Sequence, residues 1–179
     1  MDRYWLLTWT TYASWLPGDA RGFVSKVREA GGPVIHNVVG TPYDANMLSL
    51  GRYAAKQARR RPIYLKQPHA AALLDQWRKL EGHRDWRLSA AAVMRNHVHV
   101  VVGVFGDPDP ADLLRDFKSY GSRILNQRWG RPEGGRWWTA SGSRRRLVDE
   151  QALAAAIAYV RKQRNPLLVW TRDDLECKQ

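Results

Sequence analysis

Two histidines, His97 and His99, are separated by a single valine in the segment MRNHVHVVV (94–102), which is otherwise mostly β-branched and apolar. This composition predicts a β-strand, and alternate side chains of a strand lie on the same face. The two imidazoles could therefore approach one metal ion. Because a bare pair of this kind is also common as two hydrogen-bonded or solvated histidines, its meaning depends on which other residues reach that face.

Neighbouring residues exclude several known kinds of histidine site. A histidine-triad hydrolase requires a third histidine at position 101, and a metallo-β-lactamase-like site requires aspartate there, but the residue is Val101. His36, His69 and His83 show no metal-ligand spacing, and a single cysteine, Cys177, excludes a cysteine-based zinc site. Two imidazoles and one oxygen ligand would leave positions open, which suits a catalytic Mg²⁺ or Mn²⁺ that also binds a phosphate.

A hydroxyl and a carbonyl oxygen are available in the segment IAYVRKQRNP (157–166). Tyr159 and Gln163 are four residues apart, so they share one face of a helix that we predict from Asp149, its N-cap, to about Gln163. Tyr159 borders the apolar seam of this helix, where its hydroxyl could reach an ion. A border tyrosine is equally compatible with ordinary packing that leaves the hydroxyl in water.

The elements that must position these residues follow from hydrophobic periodicity and turn signals. Strands are predicted over 4–10, 86–94 and 97–105, with a hairpin or strand pair over 136–148. Helices are predicted over 66–83, over 111–128 and from Asp149 to about Gln163, and a short one around 48–59. This order favours an α+β fold, a ferredoxin-like antiparallel sheet with helices packed on it, as one domain spanning 1–179.

The buried sides of the predicted helices can also be assigned. In the helix over 66–83 the inward stripe is predicted to contain Ala71, Leu74, Trp77 and Leu80. In the helix over 111–128 it is predicted to contain Leu114, Phe117, Gly121, Ile124 and Leu125, and in the last helix Leu153, Ala156, Ile157 and Val160. Tyr120, the rival nucleophile to Tyr159, falls on the second of these seams and is interpreted as core.

The charge balance predicts a polyanionic partner. The chain has 29 Lys and Arg against 17 Asp and Glu, a formal net charge of +12, and such an excess favours nucleic acid first and an anionic membrane second. Trp137 and Trp138 could stack on unpaired bases or belong to the core. The candidate phosphate contacts are Arg59, Arg60, Arg61, Arg115, Lys118, Arg123, Arg144, Arg145, Arg146, Arg161 and Lys162.

Together, HVH (97–99) and YVRKQRNP (159–166) resemble the HUH endonucleases. The second segment, with Tyr159 and Gln163 four residues apart, resembles the nucleophile helix of the single-tyrosine transposases, which include the insertion-sequence-200-like proteins and the REP-associated tyrosine transposases. The intervening helix LLRDFKSYGSRILNQRWG (113–130) is similar as well, and the resemblance covers about 86–166. Two features depart from the family pattern. Arg95 stands where a proline commonly precedes Asn-His-Val-His, and residues 22–60 match nothing in the family.

The resemblance implies a metal-dependent enzyme that cleaves single-stranded or hairpin DNA. It implies that His97, His99 and Gln163 hold a divalent ion, Mg²⁺ or Mn²⁺, and that Tyr159 forms a covalent 5′-phosphotyrosine. We expect a cytoplasmic protein that associates with the nucleoid when bound to DNA, with no membrane segment, since no run approaches 18 apolar residues. A homodimer is compatible with the family, because related transposases work as dimers or as monomers.

Two other functions remain open at this point. One is a non-catalytic, domesticated module of the same fold that binds hairpin DNA or RNA. The other is nicking of the replication-initiator or relaxase type, which the small size of the chain and its lack of a second-tyrosine segment disfavour.

Overall fold

The computed structural model describes residues 1–15, 28–29, 32–33, 52–53, 56 and 61–172. Arg52, Tyr53 and Lys56 are helical, and the rest of the predicted helix around 48–59 lies outside the described residues, as do Arg59 and Arg60.

Five strands form one antiparallel sheet in the order β6-β1-β5-β4-β7. They are β1 (Arg3–Thr10), β4 (Trp86–Val93), β5 (His97–Val104), β6 (Ser143–Leu147) and β7 (Leu168–Thr171), and a separate ribbon pairs β2 (Arg28–Glu29) with β3 (Gly32–Pro33). The helices are α1 (Gln67–Leu80), which continues into a 3₁₀ turn (Glu81–His83), α2 (Pro110–Trp129) and α3 (Glu150–Arg161). The order β6-β1-β5-β4 is the 4-1-3-2 arrangement of a βαββαβ unit, so the predicted ferredoxin-like α+β fold is confirmed.

One face of the sheet is covered by α1 and α2 and holds the main core. Alternate residues of β5 (Val98, Val100, Val102 and Val104) point into it, together with Leu7 and Trp9 of β1. Phe117 of α2 lies at its centre, with its ring stacked on Trp86 at 4.4 Å and 5.7 Å from the ring of Trp77. The core is therefore built largely from aromatic rings that strand alternation delivers to one side.

The opposite face is covered by α3 and holds a smaller hydrophobic core. Ala90 and Ala92 of β4 are fully buried there, against Ala156 and Val160 of α3. The small side chains on both surfaces let the helix lie close to the sheet. His97 and His99, which alternate with the core valines of β5, belong to this face.

Four details of the sequence-based prediction are wrong. Ala71 is exposed, because the inward stripe of α1 is Ala70, Leu73, Leu74 and Trp77. Residues 136–148 contain one strand, β6 (Ser143–Leu147), rather than a hairpin or strand pair, and the segment before β6 pairs instead with the end of β1 through the bridge Thr11–Trp138. Strand β7 was not predicted, and α3 ends at Arg161, so Gln163 lies beyond the helix.

Replacing Phe117 by alanine tests the importance of the aromatic core. Phe117 is fully buried between Trp77 and Trp86, so Phe117→Ala should lower the free energy of unfolding by about 3–5 kcal/mol. Phe105→Ala is the matched control, since this ring is 57% exposed, and should change stability by no more than about 0.5 kcal/mol. Urea unfolding followed by tryptophan fluorescence measures both, and equal losses would contradict this description of the core.

Candidate active site

Register brings the two histidines together beside β1. His97 lies opposite Thr10 and His99 opposite Thr8 in the antiparallel pair of β1 and β5. The two imidazole centroids are 4.8 Å apart, with ring planes at 82°. His99 is buried, with 5% of its surface exposed, whereas His97 is half-buried. The predicted shared face is therefore confirmed.

Hydrogen bonds at Nδ1 orient both rings. Nδ1 of His97 lies 2.7 Å from Oδ1 of Asn96, and Nδ1 of His99 lies 2.8 Å from Oγ1 of Thr8. An amide oxygen can only accept, so Nδ1 of His97 carries the proton and Nε2 keeps a lone pair. We assign the same tautomer to His99, because the Thr8 hydroxyl can accept the Nδ1 proton. The other tautomer would bury an Nε2–H group that has no acceptor among the described residues.

The Nε2 atom of His99 is buried and has no hydrogen-bond partner among the described residues. Four buried indole N–H groups of the described residues also lack partners, but Nε2 of His99 is the one of these five atoms that has a lone pair able to bind a cation. Burial, and secondarily the charge of the neighbouring His97, lower the pKa of His99 to about 3. The ring is therefore neutral at physiological pH, which is the form of imidazole that binds metals.

Tyr159 reaches the same face from α3. Its ring lies 5.2 Å from that of His99, at 80°, and half of its surface is exposed. Helix α3 is capped by Asp149, whose side chain accepts from the backbone N–H of Ala152 at 2.7 Å as predicted for an N-cap. The buried residues Ala156 and Val160 hold the helix on the sheet, which leaves Tyr159 at the border between core and solvent.

Gln163 lies near Tyr159 but on the chain beyond α3. Its side-chain amide nitrogen donates to the backbone carbonyl of Tyr159 at 3.2 Å. That Gln163 supplies an oxygen ligand therefore stays a prediction. Among the described residues no three His, Cys, Asp or Glu side chains are grouped as a metal site. The donors that fit a cation are the two imidazoles, which would leave most coordination positions to water, substrate or an amide oxygen.

The arginines of β6 are divided between the two faces of the sheet. Arg145 lies opposite Leu6, whose side chain packs on the α3 side, whereas Arg144 and Arg146 lie opposite Leu7 and Trp5 of the main core. All three are exposed at this edge strand. Of the predicted cluster, only Arg145 therefore shares the face of the histidines.

The candidate cations of α2 lie on the other layer and have partners there. Arg115 forms an ion pair with Asp112 at 2.6 Å, and the guanidinium of Arg123 lies 5.1 Å from the ring centroid of Tyr120. Lys118 is half-buried and donates to the carbonyl of Ala140 at 2.9 Å, and its burial lowers its pKa to about 8. Lys118 thus anchors the segment before β6.

The remaining candidate cations are Arg61, in the segment before α1, and Arg161 and Lys162, at the end of α3. Arg161 donates to the hydroxyl of Thr171 at 3.2 Å, while Arg61 and Lys162 are exposed.

Trp137 and Trp138 belong to the core and not to a base-stacking surface. Both are buried, and their Nε1–H groups donate to Asn126 Oδ1 and to the carbonyl of Lys118. Tyr120 packs against the main core, as predicted, and its hydroxyl accepts a hydrogen bond from Arg84 at 3.0 Å. Among the residues that the structure describes, the large apolar or aromatic side chains that do reach the surface are Tyr53, Tyr64, Phe105, Trp129, Val148 and Tyr159.

Sequence reasoning missed Thr8 and Trp15. Thr8 orients His99, and the indole of Trp15 lies 5.8 Å from the ring of His97, edge to face. Thr8 alternates with Leu7 and Trp9 in β1, which shows that it points away from the core. To predict that Thr8 pairs with His99, one would need the register between β1 and β5, and these two residues are 91 positions apart in sequence.

The buried neutral His99 makes stability depend on pH. The unfolded chain binds a proton at this residue near the ordinary pKa of 6.5, whereas the folded chain does so only at about 3. Stability is therefore lost as pH falls below about 6.5, by up to about 1.4 kcal/mol per pH unit. In EDTA, urea unfolding of the wild type should show this slope and His99→Asn should lack it. Parallel profiles would contradict the assignment.

Comparisons with known proteins agree with the sequence motifs. A sequence model of the family described as "Transposase IS200 like" matches residues 55–163. No match is found among curated protein sequences. Among solved structures, a REP-associated tyrosine transposase bound to a REP hairpin aligns with a TM-score of 0.49 and 12% identity, over 88% of this chain and 64% of that one. A candidate transposase from Deinococcus radiodurans R1 aligns with a TM-score of 0.44 and 16% identity, over 92% and 94% of the two chains.

The family match runs from residue 55 to Gln163, so it includes the histidine pair and Tyr159 and covers more than half of the chain. The expectation that residues 22–60 match nothing in the family is therefore wrong for residues 55–60. No helix among the described residues is long and apolar enough to cross a bilayer. The predicted family is confirmed, and the chain belongs to the IS200-like transposases.

Proposed function

We propose that this protein is a metal-dependent endonuclease and strand transferase that cleaves single-stranded or hairpin DNA through a covalent 5′-phosphotyrosine intermediate. One observation carries the proposal. The Tyr159 ring packs 5.2 Å from the buried, neutral ring of His99, whose Nε2 atom has no partner among the described residues. A nucleophile beside an unsatisfied metal-binding atom is the arrangement that this chemistry needs.

The residues that would hold the cation are His97 and His99, through their Nε2 lone pairs, and Gln163, through its side-chain oxygen. In the structure the Gln163 amide nitrogen donates to the Tyr159 carbonyl, and this hydrogen bond would have to break if the amide turned toward the histidines. Mg²⁺ or Mn²⁺, when bound, would act as a Lewis acid on a phosphate oxygen. Thr8 and Asn96 serve as positioning residues, since their oxygens fix the orientation of the two rings.

Tyr159 would carry the covalent step. Its phenol oxygen attacks the phosphorus of the scissile diester, the bond between phosphorus and the 3′ oxygen breaks, the phenol gives up its proton to solvent, and the departing 3′ oxygen takes up a proton from solvent. The products are a 5′-phosphate on Tyr159 and a free 3′-hydroxyl. Because a phenolate leaves more easily than an alkoxide, a 3′-hydroxyl can later reverse the reaction and join a different end. The half-exposed position of Tyr159 leaves its hydroxyl open to such a substrate.

Positive charge around this face would hold the DNA backbone. The chain has a net charge of +12, and Arg145 is exposed on the histidine side of the edge strand β6. Each phosphate that a cation neutralises releases counterions, so binding should weaken steeply with salt.

A second candidate is a binding module of the same fold that has lost cleavage. The observation in its favour is the position of Gln163, which lies beyond the end of α3 with its amide nitrogen on a backbone carbonyl. The same assay separates the two candidates, since a binding module retains DNA but forms no adduct.

A covalent-adduct assay tests the proposal. Purified protein is incubated with 5′- and 3′-labelled hairpin and single-stranded oligonucleotides plus Mn²⁺ or Mg²⁺, and the products are resolved on a denaturing gel. The wild type should give a metal-dependent band in which only the strand 3′ of the cut is attached to protein. Tyr159→Phe should give none, because it lacks the phenol oxygen.

Tyr120→Phe is the matched control, since this tyrosine lies on the other layer of the fold. It should retain the adduct. An adduct that survives in Tyr159→Phe, or DNA binding with no adduct across a broad set of hairpins, would contradict the proposed enzyme.

A further inference from the structure

An exposed tyrosine and an arginine are stacked beside the turn that carries His97. Tyr64 is 45% exposed, and the guanidinium carbon of Arg95 lies 4.8 Å from the centroid of its ring. Arg95 is itself exposed. Neither side chain belongs to a hydrophobic core cluster, so core packing does not explain why an aromatic ring occupies this position.

Backbone hydrogen bonds on either side of Tyr64 fix the segment that carries its ring. The N–H of Ile63 donates to the carbonyl of Tyr12 at 2.9 Å, and the N–H of Leu65 donates to the carbonyl of Arg95 at 2.7 Å. Leu65 is buried and Ile63 packs against the main core. The residues on either side of Tyr64 are thus anchored inward, and the backbone between them is fixed so that the Tyr64 ring lies at the surface.

The pair is attached to the site through the β4–β5 turn. Arg95 is followed by Asn96, whose side-chain oxygen accepts from His97 Nδ1 at 2.7 Å and whose carbonyl accepts from the N–H of Thr11 at 2.9 Å. The turn is therefore pinned to the end of β1, and a ligand on Tyr64 and Arg95 would lie beside the residue that we assign as a metal ligand.

We propose that Tyr64 and Arg95 form a subsite for one unpaired nucleotide of single-stranded DNA next to the scissile phosphate. This rests on the proposed function and names a part of its substrate site. An exposed aromatic ring offers a stacking surface to any unstacked base, and a guanidinium next to it can stack on the same base or bind its phosphate. A duplex keeps its bases stacked and would not use the ring in this way.

Fluorescence of 2-aminopurine tests the subsite independently of cleavage. All proteins carry Tyr159→Phe, so the covalent step cannot occur. The probes are single-stranded oligodeoxynucleotides of mixed sequence, each with one 2-aminopurine at a different position, and blunt duplexes of the same sequences. The parent protein should quench the fluorescence at one or two positions of the single strands only.

Tyr64→Ala should abolish this quenching and weaken binding by at least about fivefold, because one base–aromatic stack is lost. Tyr64→Phe should retain both, since it keeps the ring. Arg95→Ala should weaken binding and reduce the salt dependence by about one counterion, whereas Arg95→Lys should restore the salt dependence without the stacking plane. Phe105→Ala is the matched control, because this exposed ring follows β5 at the end opposite His97.

When the parent protein binds the probes, three results would overturn the subsite. They are quenching and affinity unchanged in Tyr64→Ala, equal losses in Tyr64→Ala and Phe105→Ala, and equal quenching of duplex and single-stranded probes. If Tyr64→Ala failed to fold, Tyr64→Leu would take its place, since it keeps apolar bulk without the ring. If the wild type forms the covalent adduct while any of these results is obtained, the proposed enzyme is supported and only the subsite is refuted. A parent protein that binds none of the probes would overturn the subsite as well.

Discussion

The pairing of β5 between β1 and β4 is the constraint on which the rest of the structure depends. In this central strand Val98, Val100 and Val102 point into the aromatic core, while His97 and His99 point toward α3. A slip of one residue would exchange the two sets, placing imidazoles against Trp9 and Phe117 and valines beside Tyr159. The hydrophobic energy of the core thus fixes the face on which the histidines lie.

Burial of His99 destabilises the folded state. An imidazole kept neutral among apolar side chains gives up its favourable hydration, and its Nε2 atom lacks a partner among the described residues. In return, the lone pair is oriented by Thr8 before any ligand arrives. The same alternation that buries the valines therefore places a metal-binding atom on the opposite face, within reach of a tyrosine on α3.

Local patterns in the sequence predicted every strand of the main sheet except β7, and the shared face of His97 and His99, because strand alternation and helix capping depend on neighbours in sequence. The segment before β6 was misassigned because its pairing with the end of β1 joins Thr11 to Trp138. The tryptophans at 137–138 look like stacking surfaces beside arginines, yet Asn126 and the Lys118 carbonyl bind their indoles inside the fold. Such contacts arise only when distant segments meet.

The basic residues illustrate the same limit. Arg144, Arg145 and Arg146 form one cluster in sequence, but a strand sends neighbours to opposite faces, so only Arg145 lies on the site side. The pair of Tyr64 and Arg95 shows the reverse, since two residues 31 positions apart are brought together by one backbone hydrogen bond from Leu65. Clustering of charge in the sequence therefore does not show on which face of the fold each cation lies.

The central claim is that His97 and His99 bind one divalent ion beside Tyr159. Pulsed electron paramagnetic resonance of Mn²⁺ bound to the protein tests it most directly, because nitrogen ligands give resolved hyperfine couplings. The account predicts couplings to two imidazole nitrogens in the wild type, one in His97→Ala, one in His99→Asn, and two in Tyr159→Phe. Mn²⁺ without imidazole coupling, or couplings unchanged in both histidine variants, would contradict it.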